Sequence, residues 1–155
     1  MSFSSIRRAA EDDTDAIARL AGELGYAVRA GALRGHIRAI LASAADLLVV
    51  AADSSGTVVG WLQAHAAHIV ESGFRVEITG LVVSASSRRQ GAARTLVLAA
   101  EEWARSLSAE AIVVRSNAKR AESHSFYPAI GYRCTKTQKV YQKTMREGPD
   151  SSLQA

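Results

Sequence analysis

Apolar residues along the chain recur at two spacings, and the switches between them predict an order of elements. Phe3 to Ala9 alternates weakly, as a first strand does. Asp12, Asp13 and Thr14 offer N-cap chemistry ahead of Ile17, Leu20, Ala21 and Leu24, a helical spacing that stops at Gly25. A second helix runs from about Ala30 to Ser43, with Leu33, Ile37, Ile40 and Leu41 on one side. Leu47 to Ala51 is a buried strand, Asp53-Ser54-Ser55-Gly56 a turn, and Thr57 to Ala66 the returning strand of a hairpin. Glu71-Ser72-Gly73 turns the chain into a strand from Phe74 to about Val83. The Arg-rich stretch Ser84 to Gln90 leads to a helix from about Gly91 to Leu107. Its apolar face is Leu96, Ala99, Ala100, Trp103 and Leu107, with Arg94, Glu101 and Arg105 opposite. Ala111 to Val114 is a short strand, and Ala118 to Ile130 a helix capped by Gly131. Tyr132 to Met145 is β-rich and reads as one or two strands, and Glu147 to Ala155 as a frayed tail. The order β-α-α-β-β-β-α-β-α-β implies a mixed α+β fold, a central sheet with helices on both faces. One domain over residues 1–146 and a flexible tail over 147–155 are expected.

Composition narrows the class. At 155 residues the chain fits one domain, and 48% hydrophobic with 22% charged residues excludes a disordered chain. No apolar run approaches the ~18 residues of a membrane span, and Met1 to Arg8 lacks the core of a signal peptide, so a cytoplasmic protein is expected. The single cysteine, Cys134, excludes an internal disulfide or a thiolate cluster for metal and reads as a small buried residue. Nineteen basic against fifteen acidic residues leave a net charge of +4. The bases concentrate in two short stretches, Arg88 to Arg94 and Arg115 to Arg120, which suit a compact polyanion better than a nucleic-acid backbone.

Leu81-Val82-Val83-Ser84-Ala85-Ser86-Ser87-Arg88-Arg89-Gln90-Gly91-Ala92-Ala93-Arg94 carries the most chemistry. A buried strand ends, an Arg-rich turn follows, and a helix opens at one glycine and two alanines. Small side chains let an anion approach amides that have no intrahelical partner, at the end where the helix dipole is positive. A pyrophosphate is a natural ligand there, with arginines supplying charge-assisted bonds. The simpler reading is a solvated basic loop. No Gly-Lys-Ser/Thr follows, so this is not a Walker A loop. Arg88 and Ala93 stand where a dinucleotide fingerprint needs glycine.

Arg88-x-x-Gly91-x-Ala93 after a Leu-Val-Val strand resembles the acyl-CoA signature of the GNAT superfamily of acetyl-CoA-dependent N-acetyltransferases. Ser116 to Tyr132, with Asn117, the Phe126-Tyr127 pair and Gly131-Tyr132, is similar to that superfamily's later helix. The resemblance covers about residues 3 to 145. It implies a mostly antiparallel mixed sheet, splayed where backbone groups of Leu81, Val82 and Val83 meet the acetyl and pantetheine part of acetyl-CoA. It further implies that Arg88, Arg89, Gln90, Gly91, Ala92, Ala93 and Arg94 form the pyrophosphate cradle, mainly through amides. Asn117 would reach the pantetheine, and Tyr127 would protonate the leaving thiolate. The long spacing from Asn117 to Tyr127 matches a Ser-Asn-x-x-Arg variant, which leaves Asn117, Arg120 and Ser123 as alternatives for the contact, with Asn117 and Ser123 the expected ones.

An ammonium must lose a proton before it can attack a thioester. Glu77, on the strand of the acetyl-binding wall, is the candidate base through water, with Glu71 in the preceding turn as the alternative. The simpler role for Glu77 is pairing with Arg75 or a neighbour. His65 and His68 fall on opposite faces of a strand with no third ligand, so no metal is expected, although His65 could line the acceptor cleft. His124 reads as surface or packing and Trp103 as core. Trp61 either packs in the core or faces the acceptor. The expected activity is direct acetyl transfer from acetyl-CoA to a primary amine, without a covalent enzyme intermediate. A small-molecule acceptor is expected, with a protein N-terminus or lysine as the enzymatic alternative and a non-catalytic acyl-CoA-binding module as the other. No nucleic-acid or membrane partner is expected, and pairing of C-terminal strands offers a route to a homodimer.

Overall fold

The computed structural model describes residues 3–26, 28–116 and 121–146. They form two compact units that divide after Arg115. The first holds β1 (Phe3–Arg8), α1 (Thr14–Glu23), α2 (Ala30–Ala42), β2 (Asp46–Asp53), β3 (Val58–Ile69), β4 (Gly73–Val83), α3 (Ala92–Ser106) and β5 (Ala111–Val114). The second holds α4 (Ala121–Ala129).

The five strands form one sheet in chain order. β1 to β4 pair antiparallel, and β5 joins β4 in parallel. β2 is apolar and buried almost throughout, because both faces of the sheet are covered. Leu48, Val50, Val58 and Val82 pack with Ile17 and Leu20 of α1 and Ile37 of α2. The alternate residues, Val49, Ala51, Leu62, Ala64, Val76 and Ile78, are buried on the side that α3 covers. The expected helices on both faces of a mixed sheet are present.

The packed side of α3 is Ala92, Leu96, Val97, Ala100 and Ala104. The expected stripe through Ala99, Trp103 and Leu107 is rotated: Trp103 is half-buried, and Val97 takes a core position. Small alanines let this helix lie close on the sheet. The N-cap chemistry expected of Asp12, Asp13 and Thr14 takes another form: Asp13 holds the N-cap position of α1 but makes no side-chain cap bond to it. A tight turn over Glu11–Asp13 precedes α1, and the Thr14 hydroxyl donates to the Glu11 carbonyl at 2.5 Å. The Asp13 carboxylate instead takes two bonds from Arg7, at 2.8 and 2.9 Å, and one from the Ala10 amide at 2.8 Å. Those donors hold its pKa below the usual carboxylate value, and Asp13 staples β1 to the start of α1.

In the second unit α4 ends in a Schellman motif. The Tyr132 amide donates to the Tyr127 carbonyl at 3.0 Å, and the Gly131 amide to the Pro128 carbonyl at 3.2 Å. Ala118 to Arg120, where this helix was expected to begin, lie outside the described residues, as does the expected tail, 147–155. Tyr132 to Met145 is not a strand. Val140, Tyr141 and Met145 are exposed there, so the β-rich composition has no pleated, half-buried surface to fit, and β-propensity counts only on such a surface. The C-terminal strands through which a homodimer was expected to pair are thus not formed in this segment. Cys134 is exposed as well, contrary to the expectation of a buried thiol: it lies in the same unpacked stretch.

Candidate active site

β4 organises the first unit's chemistry. β5 accompanies it only from Arg75 to Ile78, so among the described residues Thr79 to Val83 have no strand neighbour on that side. Leu81, Val82 and Val83 pair with Leu62, Trp61 and Gly60 on the other side. Their outward backbone groups form an open edge, which can receive an extended amide-containing chain.

The strand runs from this edge into the Arg-rich loop. The Ser84 amide donates to the Val59 carbonyl at 2.8 Å, and the Ala85 amide to the Glu23 carboxylate at 3.3 Å, fixing the loop's start to β3 and α1. Arg89 (φ 64°) and Gly91 (φ 83°) are both left-handed. The first intrahelical bond of α3 runs from the Thr95 amide to the Gly91 carbonyl at 3.0 Å, so the amides of Ala92, Ala93 and Arg94 precede the helical ladder. Arg88, Arg89, Gly91 and Arg94 are exposed and Ala92 is buried, so cationic side chains surround a small-residue helix start. This donor set fits a pyrophosphate.

Along β4 the pairing contains one irregularity with chemical consequences. Gln63 pairs with Gly80 and Ala64 with Ile78, so Thr79 is an extra residue on β4. A bulge of this kind re-aims every side chain beyond it. Glu77 is thereby opposite His65 and shares a face with Trp61 and Gln63, while Ile78 turns into the α3 side. The Trp61 ring lies against Gly80: a Cβ there would stand 2.7 Å from Cζ3. Of the two expected roles for Trp61, packing is observed, since the ring adjoins the α1–α2 core. Its Nε1 is nonetheless buried with no hydrogen-bond partner among the described residues.

Glu77 is paired, but its partner is Arg115 at 2.6 Å rather than Arg75. Arg115 follows β5, and the parallel register brings it back over Glu77; nothing local in sequence links the two. His65 Nδ1 is 2.9 Å from the Asp46 carboxylate. Asp46, His65 and Glu77 are thus successive members of one cross-strand row, a juxtaposition that residue-by-residue reading missed. Glu71 is exposed in the β3–β4 turn, six residues before Glu77 and so about 20 Å along an extended chain. No group of three or more metal-ligating side chains occurs among the described residues.

In the second unit Tyr127 is half-buried, its ring edge-on to Phe126 at 5.0 Å and Tyr132 at 5.8 Å. Ser123 is on the same helix, half-buried, and His124 is exposed. Asn117 and Arg120 lie outside the described residues.

The profile of the acetyltransferase (GNAT) family matches residues 12–132, most of the chain. The chain belongs to this family. That makes it an acetyl-CoA-dependent N-acetyltransferase by class, the activity to which the open β4 edge and the anion-ready loop are suited. No curated protein sequence matches it. Among solved structures, a protein described as a transcriptional regulator from Bacillus halodurans C-125 is 22% identical with a TM-score of 0.81, over 90% of this chain and 99% of that one. An aminoglycoside antibiotic 6'-N-acetyltransferase from Acinetobacter haemolyticus is 20% identical with a TM-score of 0.78, over 92% and 100%. An aminoglycoside N-acetyltransferase in complex with CoA is 20% identical with a TM-score of 0.81, over 92% and 97%. These likenesses establish the GNAT fold. No helix of the described residues is long and apolar enough to cross a membrane.

Proposed function

We propose that the protein transfers acetyl from acetyl-CoA directly to a primary amine of a small molecule, as a cytoplasmic enzyme. The observation that carries this is the open β4 edge running into the α3 amides, a continuous set of backbone groups for a pantetheine arm and then a pyrophosphate. In this reading Leu81, Val82 and Val83 hold the arm, and the amides from Arg89 to Arg94 hold the phosphates, with Arg88 adding charge. Asn117 or Ser123 supplies a further contact. Acetyl-CoA, when bound, supplies an activated thioester. Glu77 draws the ammonium and takes its proton through water, and Tyr127 donates a proton to the departing thiolate.

The small-molecule acceptor has two supports. Asp46 and Glu77 place two carboxylates on one face of the sheet, hydrogen-bond acceptors close enough together for a compact amine. A similar structure, 20% identical, is in complex with the bisubstrate analogue CoA-S-monomethyl-acetylneamine. The test is acetyl-CoA turnover, read as free thiol, with neamine, spermidine, an arylalkylamine and a lysine peptide. Faster thiol release with one of the small amines than with the peptide is expected. Release with none of the four overturns the reading, and a preference for the peptide moves the acceptor to proteins.

A further inference from the structure

We propose that His65, held by Asp46, is the relay that carries the amine's proton from Glu77 to solvent. The inference rests on the acetyl-transfer reading and deepens it. Directly opposed residues on neighbouring strands have Cβ atoms about 4.5–5.5 Å apart, so the side chains of His65 and Glu77 leave the sheet side by side on one face. No direct ion pair joins them, and the relay between them runs through a water. The two ends of the row are fixed differently. Arg115 Nε occupies Glu77 Oε1 at 2.6 Å, leaving Oε2 to receive a proton. Asp46 Oδ1 accepts from His65 Nδ1 at 2.9 Å, which assigns the ring proton to Nδ1 and leaves the Nε2 lone pair available. Asp46 is 17% exposed and His65 47%, so the anchor is inside and the ring reaches water. On its sheet face the ring is flanked by Asp46 from β2 and Glu77 from β4, with Arg75 and Arg115 beyond Glu77.

The Thr79 bulge is what creates the row. With regular pairing Ile78 would stand opposite His65, and Glu77 would point into the α3 core. The proton path balances without any co-reactant but water. The ammonium N–H bond breaks as its proton passes to Glu77 Oε2. That proton then moves through the water to His65 Nε2, restoring the Glu77 carboxylate, and the imidazolium is opposed by Asp46. Release from Nε2 to water returns His65 to its neutral form.

A relay has a signature that a surface ion pair lacks: small buffers replace it. His65→Gln and Asp46→Asn are assayed with the best acceptor of the amine panel, at low buffer and with added imidazole. In His65→Gln the expected fall in kcat at low buffer is about 10²-fold, the low end for acid–base groups. Asp46→Asn falls less, and imidazole restores both while KM for acetyl-CoA stays unchanged. Unchanged turnover in both variants, or a loss that imidazole does not restore, overturns the relay. Should His65→Gln melt below the assay temperature, Asp46→Asn decides alone. A wild-type chain inert with all four amines overturns both readings, whereas an active wild type with a buffer-indifferent His65→Gln overturns only the relay.

Discussion

β4 serves the reaction at two places that are built from different materials. At its Val83 end the working groups are backbone: an open strand edge, then amides ahead of the α3 ladder, shaped by left-handed Arg89 and Gly91. Around Glu77 they are side chains, aligned across three strands by register and locked by Arg115 and Asp46. A backbone site tolerates exchange of side chains and fails when the chain path changes. A side-chain site behaves in the opposite way, because its atoms sit on an ordinary strand that keeps its shape whatever it carries. The two halves of the reaction, holding the acyl donor and deprotonating the acceptor, should therefore separate under mutation.

The largest effect is expected at Glu77. Glu77→Gln keeps an oxygen for Arg115, so the fold should hold, but the residue no longer takes a proton. Turnover should fall by about 10²–10⁴-fold, with CoA affinity by calorimetry unchanged. A full-rate Glu77→Gln enzyme removes Glu77 as the proton acceptor and breaks the division between the two places.

Gly91→Val should do the reverse. A β-branched residue at φ 83° costs about 1–2 kcal/mol and pushes bulk toward the α3 amides. CoA affinity should drop about 10²-fold, close to 2.7 kcal/mol. Arg88→Ala, which deletes a side chain and no amide, should cost less. If Arg88→Ala were the more damaging of the two, the loop would be a side-chain site after all.

The same distinction explains what could be read along the chain. A backbone anion site needs small residues at fixed local spacing, and Arg88-x-x-Gly91-x-Ala93 displays them in order. The strands and helices of the first unit were legible for a related reason, since each buries a face with its own period. The Asp46–His65–Glu77 row depends on register across three strands and on one extra residue, Thr79, whose effect no local pattern announces. Arg115 looked like part of a basic cluster, and only parallel pairing of β5 returns it to Glu77. Tyr132 to Met145 misled in the opposite direction, being rich in strand formers without a packed partner surface.

Two arginine–carboxylate pairs offer the finest test, because their chemistry is alike and their expected consequences differ. Arg7 grips Asp13 with two bonds and Asp13 is 9% exposed, so that carboxylate is committed to structure. Arg115 grips one oxygen of a more accessible Glu77. Arg7→Ala should lower stability and leave turnover at moderate temperature intact. Arg7 is itself 45% exposed, so solvent screens the pair and the loss should be near the upper end of surface pairs, about 1 kcal/mol. The pH dependence identifies its origin. Because Arg7 depresses the Asp13 pKa, the stabilisation is complete above the ordinary carboxylate value, near pH 4, and disappears as pH falls through the lower folded value. The melting temperatures of wild type and Arg7→Ala should differ at pH 7 and converge in acid. A gap that stays constant down to the acid limit would mean that Arg7 acts through packing rather than through the Asp13 charge.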